Sequence, residues 1–292
     1  RLDDRARAAI ITALTRELNR SYVFPDRAAA METVLRARQH DHAYDDLDDL
    51  DPFASALTEQ LQATSHDKHL RVRTAVGPTG EPRDSLAPNP FGAVKRLDGN
   101  IAYVEIASFR MAVNRARIAT SSAMGGVADA AALILDVRHN GGGDPGTVAL
   151  VSSYLFGDKP VLLNSIYSRR ANRTDDFYTD PQVAGAKFGP LKPVYVLISG
   201  RTFSAAEEFA YDLQSRRRAV IVGERSGGGA NPGQVVPLPR GLEVFVPNGR
   251  AINPITRTNW EGTGVQPDVA VPAADALEAA HRLAIEAISP KR

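Results

Sequence analysis

Two nearly uninterrupted apolar runs limit the folds open to this chain. Ala132-Leu133-Ile134-Leu135-Asp136-Val137 and Val194-Tyr195-Val196-Leu197-Ile198 are too short for ordinary helices and too apolar for half-exposed strands. They read as strands covered on both faces. Each is followed by turn residues and then by a helix-period segment, at 145–155 and from Ser204 onwards, and such alternation predicts a helix-covered α/β core. Further strands are expected at 70–76, 101–106, 161–167, 219–222, 234–237 and 243–246, the last of them as antiparallel additions. Helices are expected at 113–131 and, closing the chain, at 274–288.

The N-terminal part has a different period. Ala8, Ile11, Leu14 and Leu18 recur at helical spacing, Ser21-Tyr22-Val23-Phe24-Pro25-Asp26 interrupts, and a second helical segment runs through Leu35. Asp51-Pro52 then reads as an N-cap and first-turn proline opening a third helix through Leu61. The expected organisation is a three-helix bundle over 1–65 and an α/β core over 66–292. The acidic stretch at 41–51 reads as a solvated loop, and a Pro/Gly-rich loop fills 77–90.

Charge and composition exclude several functions. With 35 basic against 34 acidic residues, a nucleic-acid partner is not expected. The absence of cysteine excludes disulfides, thiolate zinc sites and cysteine catalysis. No run reaches the roughly 18–20 apolar residues of a membrane span, and no histidine spacing suits a metal, so neither a spanning segment nor a metal or other cofactor is expected. The chain starts at Arg1; if an export signal has been trimmed, the expected compartment is periplasmic or extracellular.

Chemistry concentrates where strands give way to helices. In Thr202-Phe203-Ser204-Ala205-Ala206-Glu207-Glu208-Phe209 a serine sits at a strand-to-helix junction, beside first-turn amides that have no intrahelical partner. A plain N-cap serine is the rival reading. Gly141-Gly142-Gly143 follows the first buried strand, where glycine lets backbone N–H groups line a concavity. It lacks the lysine and hydroxyl of a phosphate loop, so an oxyanion site fits better. A second glycine cluster, Gly223-Glu224-Arg225-Ser226-Gly227-Gly228-Gly229-Ala230-Asn231, leaves the strand after the serine helix. Glu207 and Glu208 read as first-turn charges favoured by the helix dipole.

These segments, with Trp260-Glu261-Gly262-Thr263-Gly264-Val265-Gln266-Pro267-Asp268, resemble in kind and order the signature of the S41 serine peptidases. That family includes the C-terminal processing peptidases, the tricorn core and the modules of interphotoreceptor retinoid-binding protein. Tyr22-Val23-Phe24-Pro25 and Asp67-Lys68-His69-Leu70-Arg71-Val72 are similar to the retinoid-binding-protein branch. The resemblance implies a ClpP/crotonase-like α/β core with a mixed, helix-covered sheet behind the N-terminal bundle. It also implies a serine-type peptidase acting on peptide or protein substrates through an acyl-enzyme. In the processing peptidases the base is a lysine in the second glycine loop; Gly229 stands there. The resemblance therefore assigns Ser204 as nucleophile, His69 as base and Glu261 as its orienting acid, with oxyanion donors from the amides of Gly142 and Ala205, Gly141 being the neighbouring choice for the first.

The same resemblance departs from family patterns in two places. Lys68 stands where some tricorn-like enzymes carry a relay serine before the histidine, and the interval 71–100 is too short for the PDZ domain of the processing peptidases. His139, beside Asn140 and the glycines, is the competing base but is expected to serve the loop, and Asp136, Arg138 and Asn140 are expected to support it. Arg169, Arg170 and Arg173 form a weak candidate for meeting a substrate carboxylate, against exposed solvation. The rival to an enzyme is a carrier of an apolar small molecule such as a retinoid or fatty acid, and a scaffold that recruits a partner is a third reading.

Overall fold

The structure, a computed structural model, describes residues 2–75 and 89–289. In chain order the elements are α1 (Asp4–Ser21), α2 (Pro25–His40), α3 (Leu50–Ser65), β1 (Arg71–Thr74), β2 (Phe91–Leu97), β3 (Ile101–Ile106), α4 (Val113–Gly125), β4 (Ala132–Asp136), α5 (Pro145–Ser153), β5 (Leu162–Ser168), β6 (Arg173–Tyr178), β7 (Val194–Ile198), α6 (Ala205–Ser215), β8 (Val220–Gly223), β9 (Gly233–Leu238), β10 (Leu242–Pro247), β11 (Gly249–Ile252), β12 (Val269–Ala270) and α7 (Ala276–Ile288). They form two compact units. The first takes the described residues of 1–80 with 166–175 and 231–251; the second takes those of 81–165 with 176–230 and 252–292. Among the described residues no helix is long and apolar enough to cross a membrane.

The first unit contains the three expected helices. Asp3 caps α1 by accepting from the amide of Ala6 at 2.7 Å, and Pro25 sits in the first turn of α2. The third helix starts earlier than the sequence suggests: Asp49 is its N-cap and Asp51 lies in the first turn, where a carboxylate favours the helix dipole. The helices pack on an antiparallel sheet in the order β1-β10-β9, in which Val72 pairs with Val244. Along β10 Leu242, Val244 and Val246 are buried while Glu243 and Phe245 are only partly so, the two-residue period of a strand with one covered face. Those side chains join Ile10, Leu14, Leu57 and Leu61 in one core. The helical unit thus takes in strands from beyond residue 65, because the apolar stripes of short helices need a sheet face to bury against.

The second unit is built on a six-stranded sheet in the order β12-β8-β7-β4-β3-β2. Its pairs are parallel except β2 with β3, which makes it the mixed sheet that the family resemblance implies. Alternate residues of a strand face opposite sides, and every residue of β4 and β7 is buried. Both faces are therefore covered. Helix α7 lays Ala276, Ala279, Ala280 and Ala284 against Ile101, Ile134, Tyr195 and Leu197, its small side chains permitting close approach. Helix α4 stops at Gly125 rather than running to 131, Gly126 following it as C-cap. The expected loop at 77–90 lies, apart from its last two residues, outside the described residues. Since β4, β7 and β8 are parallel neighbours, the segments that leave their carboxyl ends emerge at one edge of the sheet, where α/β folds place their sites.

Candidate active site

The segment joining β7 to α6 is tied to the loop leaving β4. Ser199 Oγ donates to the Arg138 carbonyl at 2.6 Å, Thr202 Oγ1 donates to the Val137 carbonyl at 2.9 Å, and the Phe203 amide reaches the Asn140 carbonyl at 3.1 Å. These bonds deliver Ser204 to the N-cap position of α6 with φ +56° and ψ −125°, a region that disfavours side chains and is populated mainly where surrounding structure enforces it. The N-cap rival and the nucleophile reading thus meet at one residue, and capping alone explains no such strain, because a cap residue ordinarily has extended backbone.

Gly142 lies against this serine. Its φ is +100°, and a Cβ there would come within 2.7 Å of Ser204 Cβ and 2.9 Å of the Ala205 nitrogen, so no side chain fits. The expected oxyanion donors are altered on one side. The Gly142 amide donates to Asn140 Oδ1 at 2.9 Å, an Asn bonding its own backbone two residues on, and Asn140 Nδ2 anchors the turn by donating to the Ile106 carbonyl. Gly142 therefore shapes the loop, and its exposed neighbours Gly141 and Gly143 carry the remaining amides. The Ala205 amide makes no hydrogen bond among the described residues, as a first-turn amide should not. Arg138 grips Asp136 through Nη2 at 2.6 Å while Tyr103 donates to the same carboxylate at 2.8 Å, the supporting role expected of them. His139 is exposed.

Glu207 stands in the first turn of α6 as expected, but it is fully buried and three of its hydrogen-bond partners lie in a later loop, which sequence reasoning did not anticipate. Its Oε2 accepts from the amides of Ser204 at 2.8 Å and Gly229 at 2.9 Å, and its Oε1 from Ser226 Oγ at 2.5 Å and the Gly228 amide at 2.6 Å. Burial pushes its pKa up, against the pull of these hydrogen bonds. One side chain thereby clamps the second glycine loop to the backbone of the serine. Ser-x-x-Glu, a capping-box pattern, was the visible signal.

The loop is locked from its other side by 259–265. Trp260 Nε1 donates to the Gly229 carbonyl at 2.7 Å, Ser226 Oγ accepts from the Val265 amide at 2.7 Å, and Glu261 Oε2 accepts from the Ala230 amide at 2.5 Å. Ser204, Ala205, Gly142 and Glu261 thus all belong to the second unit, on loops joined by these hydrogen bonds.

Behind the serine, α6 buries two further carboxyls. Burial pushes the Glu208 pKa from its ordinary 4.5 to about 8, opposed by Asn164 and reinforced by Asp144. Asp212 is likewise raised, by burial and then by Glu208, although Asn253 and Arg216 pull it down. A carboxyl whose folded-state pKa is raised stabilises fully below its unfolded value, and that stability is lost as pH climbs to the folded value. Glu208→Gln is therefore expected to gain stability relative to the parent chain between about pH 5 and about pH 8, reaching on the order of 5 kcal/mol, and to level off above. Urea unfolding across that range measures it; a pH-independent difference would refute the assignment.

His69 belongs to the first unit, in the turn between α3 and β1. Its side chain is 9% exposed and Nδ1 lies 3.8 Å from Oδ1 of the fully buried Asp67, while its ring stacks on Phe245 with centroids 5.7 Å apart. Burial lowers the His69 pKa, Asp67 raises it and Arg71 lowers it, with a net depression; the imidazole is neutral, hence able to accept a proton, at neutral pH. Asp67 also accepts from Tyr22 Oη at 3.2 Å, Asn231 Nδ2 at 2.9 Å and the His69 amide at 3.0 Å. Sequence reasoning passed over Asp67, whose partners lie 45 and 164 residues away. In the same unit Arg169 spends its guanidinium on the carbonyls of Tyr22 at 2.5 Å and Asn19 at 3.0 Å. Arg170 is exposed, and Arg173 pairs with Asp175 at 3.1 Å with both side chains exposed. The weak substrate-carboxylate candidate is accordingly a packing arginine beside two surface ones.

Known proteins are similar to this chain in sequence and in fold. The carboxy-terminal-processing protease of Bartonella bacilliformis is 28% identical over 226 residues, covering 67% of this chain and 48% of the relative. The chloroplastic C-terminal processing peptidase of Tetradesmus obliquus is 30% identical over 230 residues, covering 75% and 44% respectively. The chain spans about half the length of the curated relatives it matches. Among solved structures, a photosystem II D1 C-terminal processing protease matches with a TM-score of 0.59 over 98% of this chain and 99% of that one, at 18% identity, a likeness of fold. The family model described as the N-terminal domain of peptidase S41 in eukaryotic IRBP matches residues 4–105. Residues 100–271 match the model of peptidase family S41, and the chain belongs to that family.

Proposed function

We propose that this protein is a serine-type peptidase of the carboxyl-terminal-processing kind, with Ser204 as nucleophile, His69 as general base and Glu261 as the orienting acid. In this reading Ser204 Oγ attacks a peptide carbonyl as His69 takes its proton. The oxyanion is met by the Ala205 amide and by an amide of the 141–143 loop other than that of Gly142. The intermediate collapses as His69 returns the proton to the leaving amine, and water then hydrolyses the acyl-enzyme by the same steps. The observation that carries the reading is the strained backbone of Ser204 at the start of α6, with φ +56°, packed on a glycine that can bear no side chain. A carrier of apolar molecules has no use for a serine held this way, so the hydrolase reading is favoured over that alternative. Similarity to a carboxy-terminal-processing protease and a C-terminal processing peptidase supports protein C-termini as the substrate class. An exported compartment goes with this proposal, to be checked by fractionating cells that express the full-length protein.

The test is intact-mass labelling with a broad fluorophosphonate. One adduct is expected, absent in Ser204→Ala and slowed about 10²-fold or more in His69→Ala, the usual scale of general-base catalysis. An adduct that persists in Ser204→Ala would overturn the nucleophile. Cleavage of peptides carrying free or amidated C-termini then separates processing from endopeptidase action.

A further inference from the structure

We infer that Asp67 is a positioning residue for His69, holding the Nδ1 edge of the imidazole and stabilising the imidazolium that forms when the ring accepts a proton. This deepens the proposed function and rests on His69 being the base. It adds a second acid, carried by the same unit as the histidine.

A carboxyl is costly to bury unless it is paired, yet Asp67 is 0% exposed. Among the described residues, the one cationic or potentially cationic side chain within ion-pair distance of it is His69. The remaining capacity of the carboxylate is met by neutral donors, the Tyr22 hydroxyl, the Asn231 amide and the His69 backbone N–H. These fix its direction without cancelling its charge. Phe245, whose neighbour across the β1–β10 ladder is Arg71, supplies a surface on which the ring lies at an interplanar angle of 26°. Carboxylate at the edge and phenyl at the face leave the imidazole little rotational freedom. At 3.8 Å the Nδ1 to Oδ1 contact is an ion-pair distance and longer than a hydrogen bond, so it strengthens when the ring becomes charged. Within the first unit, the charged groups acting on the ring are Asp67, which favours the imidazolium, and Arg71, which opposes it.

The plain alternative is that Asp67 only closes the turn, since its Oδ1 accepts the His69 amide two residues on. Asp67→Asn separates the two roles, because asparagine keeps the acceptor that shapes the turn and removes the charge. The experiment pairs an NMR titration of the His69 imidazole, assigned among the 6 histidines with His69→Gln, with the pH dependence of fluorophosphonate labelling, in the parent chain, Asp67→Asn and Glu261→Gln. In Asp67→Asn the His69 pKa is expected to fall by about one unit, the scale of a nearby opposite charge. The acidic limb of the labelling profile should move to lower pH by the same amount and the plateau rate drop roughly 10- to 100-fold. A His69 pKa that stays within about 0.2 units, against the one unit expected, would overturn the inference, as would an unmoved limb with only the folded fraction reduced. If the parent chain takes no label, the peptidase reading fails while the titration still decides whether Asp67 and His69 are coupled. Should Asp67→Asn not fold, Tyr22→Phe removes one donor from the carboxylate and must raise the His69 pKa by a few tenths of a unit; no movement there would also overturn it.

Discussion

Glu207→Gln is expected to destabilise the protein by about 2–4 kcal/mol and to slow labelling at Ser204 at least about tenfold, although the substitution is nearly isosteric. The reason lies in the inventory of donors. All four groups around this carboxylate donate, three of them backbone amides, two groups to each oxygen. Glutamine keeps one oxygen and turns the other into an amino group. Whichever way the side chain is placed, the amino group faces N–H or O–H donors, leaving at least one buried amide unpaired; each such orphan costs about 1–3 kcal/mol. The loss in rate follows from geometry, since the Ser204 amide is one of the four donors and its bond to Glu207 helps to hold the serine at positive φ. Urea unfolding read beside labelling rate decides the matter: a stability change below about 0.5 kcal/mol would mean that the glycine loop is held by other contacts.

The sequence shows what depends on local order and hides what depends on distant partners. The strands β4 and β7 and the start of α6 were legible because a buried parallel strand is apolar throughout and its turn into a helix is written in consecutive residues. Strand β2 was missed because it lies at the sheet edge with Val94 exposed, and β6 because Arg173-Thr174-Asp175-Asp176 carries no apolar face. The sheet of the first unit joins β1 to β10, strands well over half the chain apart in sequence (Arg71 pairs with Phe245), so no reading of neighbours could place strands 233–247 with the N-terminal helices. At the site the same distinction holds. Ser204 stood out from its own surroundings, whereas Glu207 takes its function from Ser226, Gly228 and Gly229 in a later loop, and Asp67 from Tyr22 and Asn231. The Gly142 amide is the exception: its loss to Asn140 is a contact two residues long, of a kind asparagine often makes.

Gly142→Ala against Gly141→Ala provides the sharpest test of how the serine is held. Gly142 has φ +100°, and an added methyl would meet Ser204 Cβ at 2.7 Å and the Ala205 nitrogen at 2.9 Å, whereas a methyl on Gly141 meets nothing within 4 Å. Gly141 is also absent from the positive-φ positions of the described backbone. Alanine at 142 must therefore displace Ser204 or the first amide of α6, or rotate the loop out of its backbone region. Overpacking and backbone strain together are expected to cost about 2–4 kcal/mol of stability. Displacing a reacting atom by about 1 Å is expected to slow labelling roughly 10²-fold. The Gly141 variant should match the parent chain in stability to within about 0.5 kcal/mol, as an unstrained surface substitution does. Its labelling rate reports separately on the oxyanion site: a methyl there leaves the amide in place, so the rate should fall by less than about tenfold, set against the 10²–10³-fold loss that follows removal of an oxyanion donor. Equal labelling of the two variants would show that contact between Gly142 and Ser204 does not control the reactivity of Ser204, and the strained serine would then have to be enforced by Glu207 and by the bonds of Ser199, Thr202 and Phe203 to the loop leaving β4.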